Sequence, residues 1–129
     1  LKDSLVRQYN TLALIDLDNF KYFNDKHGHA EGDKLLLLFV DNLQKNIRQD
    51  DSIVRIGGDE FILLLNHAVP HQAYETLERI CTQFAKVVPD PHVSLSYGIE
   101  SITDSLEKSI SSADMRMYEM KTEHKQVKR

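Results

Sequence analysis

The sequence predicts an α/β sandwich, in which helices cover one central sheet. The first observation is a continuous apolar run, Thr11 to Leu17, which is typical of a strand that is buried on both faces. The second is a pair of apolar, β-branched-rich runs on either side of Gly57-Gly58-Asp59-Glu60, which predicts a β-hairpin beside that strand. The third is a set of longer segments with apolar side chains at helical spacing.

The periodicity of apolar residues assigns each element in turn. The predicted strands are Thr11 to Leu17, Ile53 to Ile56, Phe61 to Leu65 and His92 to Ile99. The predicted helices are the end of one at Lys2 to Gln8, then Asn19 to Asp25, Asp33 to about Arg48, about His71 to Lys86, and one from Asp104. The predicted connections are Lys26 to Gly32, Asn66 to Pro70 and Val88 to Pro91, with a polar, basic tail from Lys121.

Two of these assignments carry further detail. The alternation in His92 to Ile99 predicts a half-buried strand, with His92, Ser94, Ser96 and Gly98 on the side away from the core. Asp104, followed three residues later by Glu107, resembles a capping box at the start of the last helix.

Length and composition indicate one globular domain, 1–129. Because the chain starts inside a helical pattern, we expect a domain shortened at its N-terminus and taken from a larger, multidomain protein. The net charge of −4 argues against non-specific binding to nucleic acid or to an anionic membrane, so a small partner is favoured. Cys81 is the only cysteine, which excludes an intrachain disulfide and suits the cytosol.

The hairpin turn places two carboxylates, Asp59 and Glu60, beside two glycines. Both glycines can adopt positive φ, which suits a tight turn and a close approach of a ligand to the backbone. By itself this is compatible with an ordinary polar turn. A second acidic pair, Asp16 and Asp18, follows the first predicted strand, so that Asp16 and Asp59 can converge from neighbouring strands.

Such oxygen ligands suit Mg²⁺, which binds one or two carboxylates and completes its shell with waters and substrate phosphates. A phosphorylated nucleotide is therefore the natural partner, although nothing in the chain resembles a P-loop. Two ions could activate a hydroxyl and stabilise a leaving pyrophosphate. His27 and His29 are expected to shape a loop rather than to bind metal.

Four motifs follow one another along the chain: IDLDNFKYFNDKHGHAEGD from Ile15 to Asp33, RIGGDEF from Arg55 to Phe61, VSLSYGI, and ADMRMYEMK from Ala113 to Lys121. Together they resemble the GGDEF-domain diguanylate cyclases. The resemblance implies a palm-like fold with a central, mostly antiparallel sheet flanked by helices. It also implies Mg²⁺- or Mn²⁺-dependent condensation of two GTP into cyclic di-GMP and pyrophosphate, with one GTP held by each half of an antiparallel homodimer. The domain would be cytoplasmic and contact neither nucleic acid nor membrane, whether or not the parent protein is anchored.

The resemblance also implies roles for single residues. Asp16 and Asp59 would bind the metal together with the backbone carbonyl of Leu17. Glu60 would be a further metal ligand or would help to deprotonate the 3′-hydroxyl, and both roles stay open. Gly57 and Gly58 would let the nucleotide lie against the hairpin.

The resemblance also implies which residues contact the base and the phosphates. Asn24 and Asp33 would read the guanine edge, although by themselves they fit a helix end and an N-cap. The backbone amides of Asn19 and Phe20 would hold phosphates, and Lys121 would contact the terminal phosphates. Lys125 stands where the family usually has arginine, and His124 stands where glycine is common. Lysine keeps the charge there but loses the bidentate fork.

Arg48-Gln49-Asp50-Asp51 matches the product-inhibition motif of this family, so Arg48 and Asp51 would bind cyclic di-GMP. The alternative is an ion pair at a helix end. For the whole domain, the alternative to a cyclase is a non-catalytic module that binds GTP or cyclic di-GMP as a regulator. A plain interaction domain would leave the convergence of the carboxylates unexplained.

Overall fold

The computed structural model describes residues 9–66, 68–103 and 105–127. The predicted end of a helix at Lys2 to Gln8 and the capping residue Asp104 lie outside these residues. The strands are β1 (Thr11–Asp18), β2 (Ser52–Arg55), β3 (Glu60–Leu65) and β4 (Ser94–Ser101). The helices are α1 (Phe20–His27), α2 (His29–Asn46), α3 (Pro70–Val87) and α4 (Leu106–Val127).

The four strands form one antiparallel sheet in the order β2-β3-β1-β4. The predicted hairpin lies next to the first strand, with β3 paired to β1 and β2 at the edge. All eight residues of β1 are buried, as expected of a central strand covered on both faces. The predicted α/β sandwich is therefore confirmed.

Helices cover the two faces of the sheet unequally. The larger core joins alternate residues of β1, such as Ile15 and Leu17, to α1, α2 and α3. The smaller core joins Leu12 and Leu14 to Ala113 and Met117 of α4, together with side chains of β3. Alternation along β1 thus directs Asp16 and Asp18 to the same face as Leu12 and Leu14, the face covered by α4.

The segment predicted as a loop, Lys26 to Gly32, is almost entirely helical. α1 continues to His27, and α2 begins at His29, so that Gly28 alone separates the two helices. Gly28 adopts φ 91° and ψ 160°, a conformation that side chains disfavour. Asp33 consequently lies inside α2 and does not open it, and α2 ends at Asn46 rather than near Arg48.

The prediction that one side of the last strand faces away from the core is wrong. Ser96 is fully buried, and Gly98 is also buried, because α4 packs directly over β4. A Cβ atom on Gly98 would lie only 1.9 Å from the carbonyl oxygen of Ala113. The small residues of this strand therefore allow a helix to approach, and α4 continues through the predicted tail to Val127.

Cys81 lies on α3 and packs against the larger core, where burial raises the pKa of its thiol to about 12. Within the described ranges, no helix is both long and apolar enough to cross a membrane.

Candidate active site

The acidic ends of β1 and β3 meet at one edge of the sheet. Asp16 lies directly opposite Glu60 in the antiparallel register, and the backbone amide of Leu17 donates to the carbonyl of Asp59 at 3.3 Å. Residues opposite each other on adjacent strands project to the same face. Asp16 and Glu60 therefore share the face that α4 covers, with Asp59 beside them in the turn.

Lys121 reaches this acidic edge from α4. Its Nζ atom donates to Oδ1 of Asp16 at 2.5 Å and lies 3.5 Å from Oδ1 of Asp18. Burial raises the pKa of Asp16 to about 6, against the opposing effect of Lys121. Asp16 is only 4% exposed, so this carboxylate depends on a nearby cation to stay ionised.

Asp18 lies at the centre of a second group of hydrogen bonds. Ser94 and Ser96 of β4 donate to its carboxylate at 2.7 Å, and Nδ1 of His124 lies 2.7 Å from its Oδ2 atom. Burial opposes ionisation of Asp18, but the hydrogen bonds from His124, Ser94 and Ser96 outweigh it and lower its pKa. Asp18 thus ties the end of β1 to β4 and to α4.

A cavity of about 220 Å³ opens next to these carboxylates. It is lined by Asp18, Asn19, Lys121, His124 and Lys125. Two lysines and a histidine therefore lie at the start of α1, where backbone amides point along the helix axis. This combination suits a polyanion such as a triphosphate.

The start of α1 has an unusual backbone. Asn19 adopts the left-handed conformation, with φ 64° and ψ 26°, and its side chain donates to the carbonyl of His92 at 2.7 Å. Phe23 makes the first helical hydrogen bond, to the carbonyl of Asn19 at 3.0 Å. The backbone amides that precede Phe23 at the start of the helix have no carbonyl partner within the helix. Amides of this kind can donate hydrogen bonds to an anion.

Asn24 and Asp33 lie on the two helices that Gly28 joins. The Oδ1 atom of Asn24 lies only 1.7 Å from where a Cβ atom on Gly32 would be. Asn24 thus packs against the residue next to Asp33, which is itself exposed. Among the described side chains, Oδ1 of Asn24 is the buried polar atom that lacks a hydrogen-bond partner, a state that is rare in structural positions.

The glycines of the hairpin do not adopt the positive φ expected for them, since Gly28 is the only described glycine that does. The turn is held differently, because the Arg55 guanidinium donates to the carbonyls of Gly57 at 3.0 Å and Gly58 at 2.7 Å. A Cβ atom on Gly58 would meet nothing within 4 Å. The missing side chains therefore leave open space beside Asp59 rather than relieving strain.

Arg48 and Asp51 line a separate cavity of about 340 Å³. They contact each other through the backbone, since the Arg48 amide donates to Oδ2 of Asp51 at 2.8 Å. The other carboxylate oxygen of Asp51 accepts from the amide of Asn66, also at 2.8 Å. Arg79 lines the same cavity and holds the end of α2 through Asn46. Asp51 thus stabilises this turn, because both of its carboxylate oxygens accept hydrogen bonds from backbone amides.

Three features of these sites are not evident from the sequence: the partners of Asp18, the hydrogen bonds from Arg55 to the turn, and the presence of Arg79 near Arg48. The alternation of Ser94 and Ser96 on β4 was a visible signal, because small hydroxyls on one face suit a buried carboxylate. For the residues that the structure describes, no group of three or more histidine, cysteine, aspartate or glutamate side chains is arranged to hold a metal ion.

Comparison with known proteins identifies relatives over nearly the whole chain. The family model described as "Diguanylate cyclase, GGDEF domain" matches residues 2–127. The curated relative DgcS of Shewanella oneidensis, a diguanylate cyclase, is 36% identical over 115 residues, which are 86% of this chain and 38% of that protein. The probable diguanylate cyclase DgcJ of Escherichia coli is 34% identical over 106 residues, which are 81% of this chain and 21% of that protein. This chain therefore spans between about a fifth and two fifths of these relatives.

Solved structures agree with the sequence relatives. The active GGEEF domain of a diguanylate cyclase from Vibrio cholerae matches with a TM-score of 0.82 and 28% identity, over 93% of this chain and 81% of that one. The GGDEF domain of TpbB, also called YfiN, from Pseudomonas aeruginosa matches with a TM-score of 0.80 and 30% identity, over 93% and 75%. With the family model, these matches place the chain: it belongs to the GGDEF-domain family of diguanylate cyclases.

Proposed function

We propose that this domain condenses two molecules of GTP into cyclic di-GMP and pyrophosphate. The observation that carries the proposal is the convergence of Asp16 with Asp59 and Glu60 across β1 and β3. This acidic edge adjoins the cavity that Lys121 and Lys125 line together with His124. An acidic edge that meets two lysines at a helix start suits a nucleoside triphosphate and its metal.

The donor set fits Mg²⁺ or Mn²⁺. Asp16, Asp59 and Glu60 offer carboxylates, and Leu17 offers a backbone carbonyl, all of them hard oxygen donors. Two carboxylates are sufficient for Mg²⁺, so a cluster of three is not required. The buried Asp16 carboxylate, whose pKa is raised to about 6, is stabilised by a nearby cation. When bound, the metal would activate the attacking hydroxyl and stabilise the charge that develops on the phosphates.

The remaining residues hold and orient the nucleotide. The amides of Asn19 and Phe20 and the side chains of Lys121 and Lys125 would bind the phosphates. Lys121 would then exchange its contact with Asp16 for one with phosphate. The space beside Gly57 and Gly58 would admit the ribose and phosphates. Condensation joins two nucleotides, so each would be held by one subunit of a homodimer, with the 3′-hydroxyl of one facing the α-phosphate of the other.

Asn24 and Asp33 would select guanine, and Gly32 offers a test. Gly32→Ala forces Asn24 to move, because the new Cβ atom would lie 1.7 Å from its Oδ1 atom. Alanine has a higher helix propensity than glycine, so the free energy of unfolding should not fall. We expect the preference for GTP over ATP to narrow by roughly tenfold, measured as the ratio of dissociation constants by calorimetry.

Glu31→Ala is the matched control, because it alters the same turn of α2 but removes only an exposed ion pair with Lys34. It should leave the preference for GTP unchanged. If Gly32→Ala also leaves that preference unchanged, Asn24 does not read the base.

We further propose that cyclic di-GMP inhibits the enzyme at Arg48 and Asp51. Arg48 borders the cavity that also contains Arg79, and guanidinium groups suit both phosphates and the guanine edge. Arg48→Ala should raise the concentration of cyclic di-GMP needed for half-inhibition by roughly tenfold or more. Arg116→Ala removes the same charge at a position that does not line this cavity, where Arg116 pairs with Glu100, and should leave inhibition unchanged. Equal inhibition of Arg48→Ala and the parent chain would disprove the inhibitory role.

The principal test is GTP turnover in Mg²⁺ by the domain fused to a dimerising coiled coil, with nucleotides resolved by chromatography. Formation of cyclic di-GMP and pyrophosphate supports the proposal. GTP binding without product would instead indicate a regulatory module, and failure to bind nucleotide would indicate an interaction domain.

A further inference from the structure

The loop between α3 and β4, residues 88–93, contacts α1 at its start, its middle and its end. At the start of α1, the carbonyl of His92 accepts a hydrogen bond from the Asn19 side chain at 2.7 Å. In the middle, the rings of His92 and Tyr22 meet edge to face, with centroids 5.4 Å apart. At the end, Nε2 of His27 lies 3.2 Å from Oδ2 of Asp90. One short loop therefore holds both ends of the helix.

Asp90 is the centre of this loop. Its side chain is almost completely buried, and its Oδ1 atom accepts from the backbone amide of His92 at 2.9 Å. The His92 ring also approaches Oδ1 at 2.9 Å, and Lys26 lies 3.9 Å from Oδ2. The backbone hydrogen bond from His92 lowers the pKa of Asp90 to about 2, so the carboxyl is ionised at neutral pH. A buried carboxylate with this many donors holds its neighbours in a defined arrangement.

The helix that Asp90 holds carries much of the proposed nucleotide site. The amides of Asn19 and Phe20 lie at its start, and Asn24 lies one turn further on. The proposed metal ligands Asp16 and Glu60 belong instead to the sheet, which holds them by backbone pairing. Movement of α1 would therefore disturb nucleotide binding while leaving the metal ligands in place.

We propose that Asp90 is a positioning residue for the nucleotide. Through His92 at one end and His27 at the other, it fixes α1 and, with it, the groups that meet phosphate and guanine. Asp90 touches no reacting group and acts only through α1. This inference rests on the proposed function, because it concerns how the residues of the same nucleotide site are held in position.

The test compares Asp90→Asn with Thr11→Val in the full chain. Asp90→Asn retains the shape but loses the charge and one acceptor. Thr11→Val is a near-isosteric control that also removes a buried hydrogen bond, the one from Thr11 to the carbonyl of Ala68, on β1 but at the end away from Asp16. Both variants should unfold at slightly lower denaturant concentration, so that any difference between them in nucleotide binding is not a matter of stability.

Calorimetry with GTP, ATP and Mg²⁺ should show GTP binding weakened by roughly tenfold in Asp90→Asn and by about twofold or less in Thr11→Val. The preference for GTP over ATP should narrow only in Asp90→Asn. In the dimerised domain, KM should rise more than kcat falls. His27→Gln, which keeps a donor for Asp90, should bind GTP more tightly than His27→Ala.

The outcomes separate the two proposals. If the parent chain binds GTP and the two variants weaken binding equally, Asp90 has only a structural role and the positioning inference fails. If the chain binds GTP but the dimerised domain makes no cyclic di-GMP, the cyclase proposal fails while the binding ratios still decide the role of Asp90. If the parent chain binds no GTP, both proposals fall together.

Discussion

Glu60→Gln should abolish formation of cyclic di-GMP while the domain stays folded. Glu60 lies opposite Asp16 at the edge where β1 and β3 meet, so it belongs to the proposed metal site in either of its two possible roles. Glutamine keeps the size of the side chain but cannot accept a proton or provide a negatively charged ligand. We expect the turnover of GTP to fall by roughly a hundredfold or more, measured by chromatography on the dimerised domain.

Two measurements accompany this result. The thermal midpoint should change little, because Glu60 is only half-buried and begins its strand. Glu100→Gln, on β4, is a matched control that removes an equal charge outside the site, where Glu100 pairs with Arg116. Glu100→Gln should keep full activity, and full activity in Glu60→Gln would refute the assignment of the site.

Gly98→Ala should destabilise the domain by about 3 kcal/mol or more. Its Cβ atom would lie 1.9 Å from the carbonyl oxygen of Ala113 and 2.8 Å from the backbone nitrogen of Met117. These are backbone atoms of α4, which cannot rotate away as a side chain can. The helix must therefore lift off the sheet and lose the buried contacts of Ala113 and Met117. Chemical denaturation followed by circular dichroism measures the loss.

Gly58→Ala provides the comparison. Nothing lies within 4 Å of the Cβ atom that it would add, and Gly58 does not adopt positive φ. Its free energy of unfolding should stay within about 0.5 kcal/mol of the parent chain. GTP binding should nevertheless weaken, because the methyl group would enter the space proposed for the nucleotide. Equal stability of Gly98→Ala and Gly58→Ala would mean that α4 does not depend on the close approach at Gly98.

Much of this arrangement could be predicted because it follows from local patterns. The buried run of β1 and the hairpin predicted that Asp16 and Asp59 can converge from neighbouring strands; β1 and β3 are adjacent, Asp16 pairs with Glu60, and Asp59 lies in the turn just before β3. Helical spacing of apolar residues likewise predicted a helix from about His71 to Lys86, and α3 spans Pro70–Val87. Strand alternation and helical spacing are encoded residue by residue, so no knowledge of distant contacts was needed.

The errors arise where a distant contact decides the conformation. Gly32 suggests a loop by composition, yet it lies inside α2, where its missing side chain leaves room for Asn24. Ser96 suggests a solvent-facing position, yet it is fully buried because Asp18 and α4 meet it there. The contact between Asp90 and His27 joins residues more than 60 positions apart in the chain, so no local pattern reveals it.

The junction at Gly28 has a consequence for how nucleotide preference can change during evolution. Only one residue separates α1 from α2, and it adopts φ 91°, which residues with a side chain rarely tolerate. The angle between the two helices, and with it the spacing between the proposed base-reading residues Asn24 and Asp33, therefore depends in part on the backbone torsions of this one residue. Relatives that accept a different base would be expected to retain glycine here and to exchange side chains on the helices. The preference for one base over another would then change through substitutions on the two helices, without insertion or deletion at the junction.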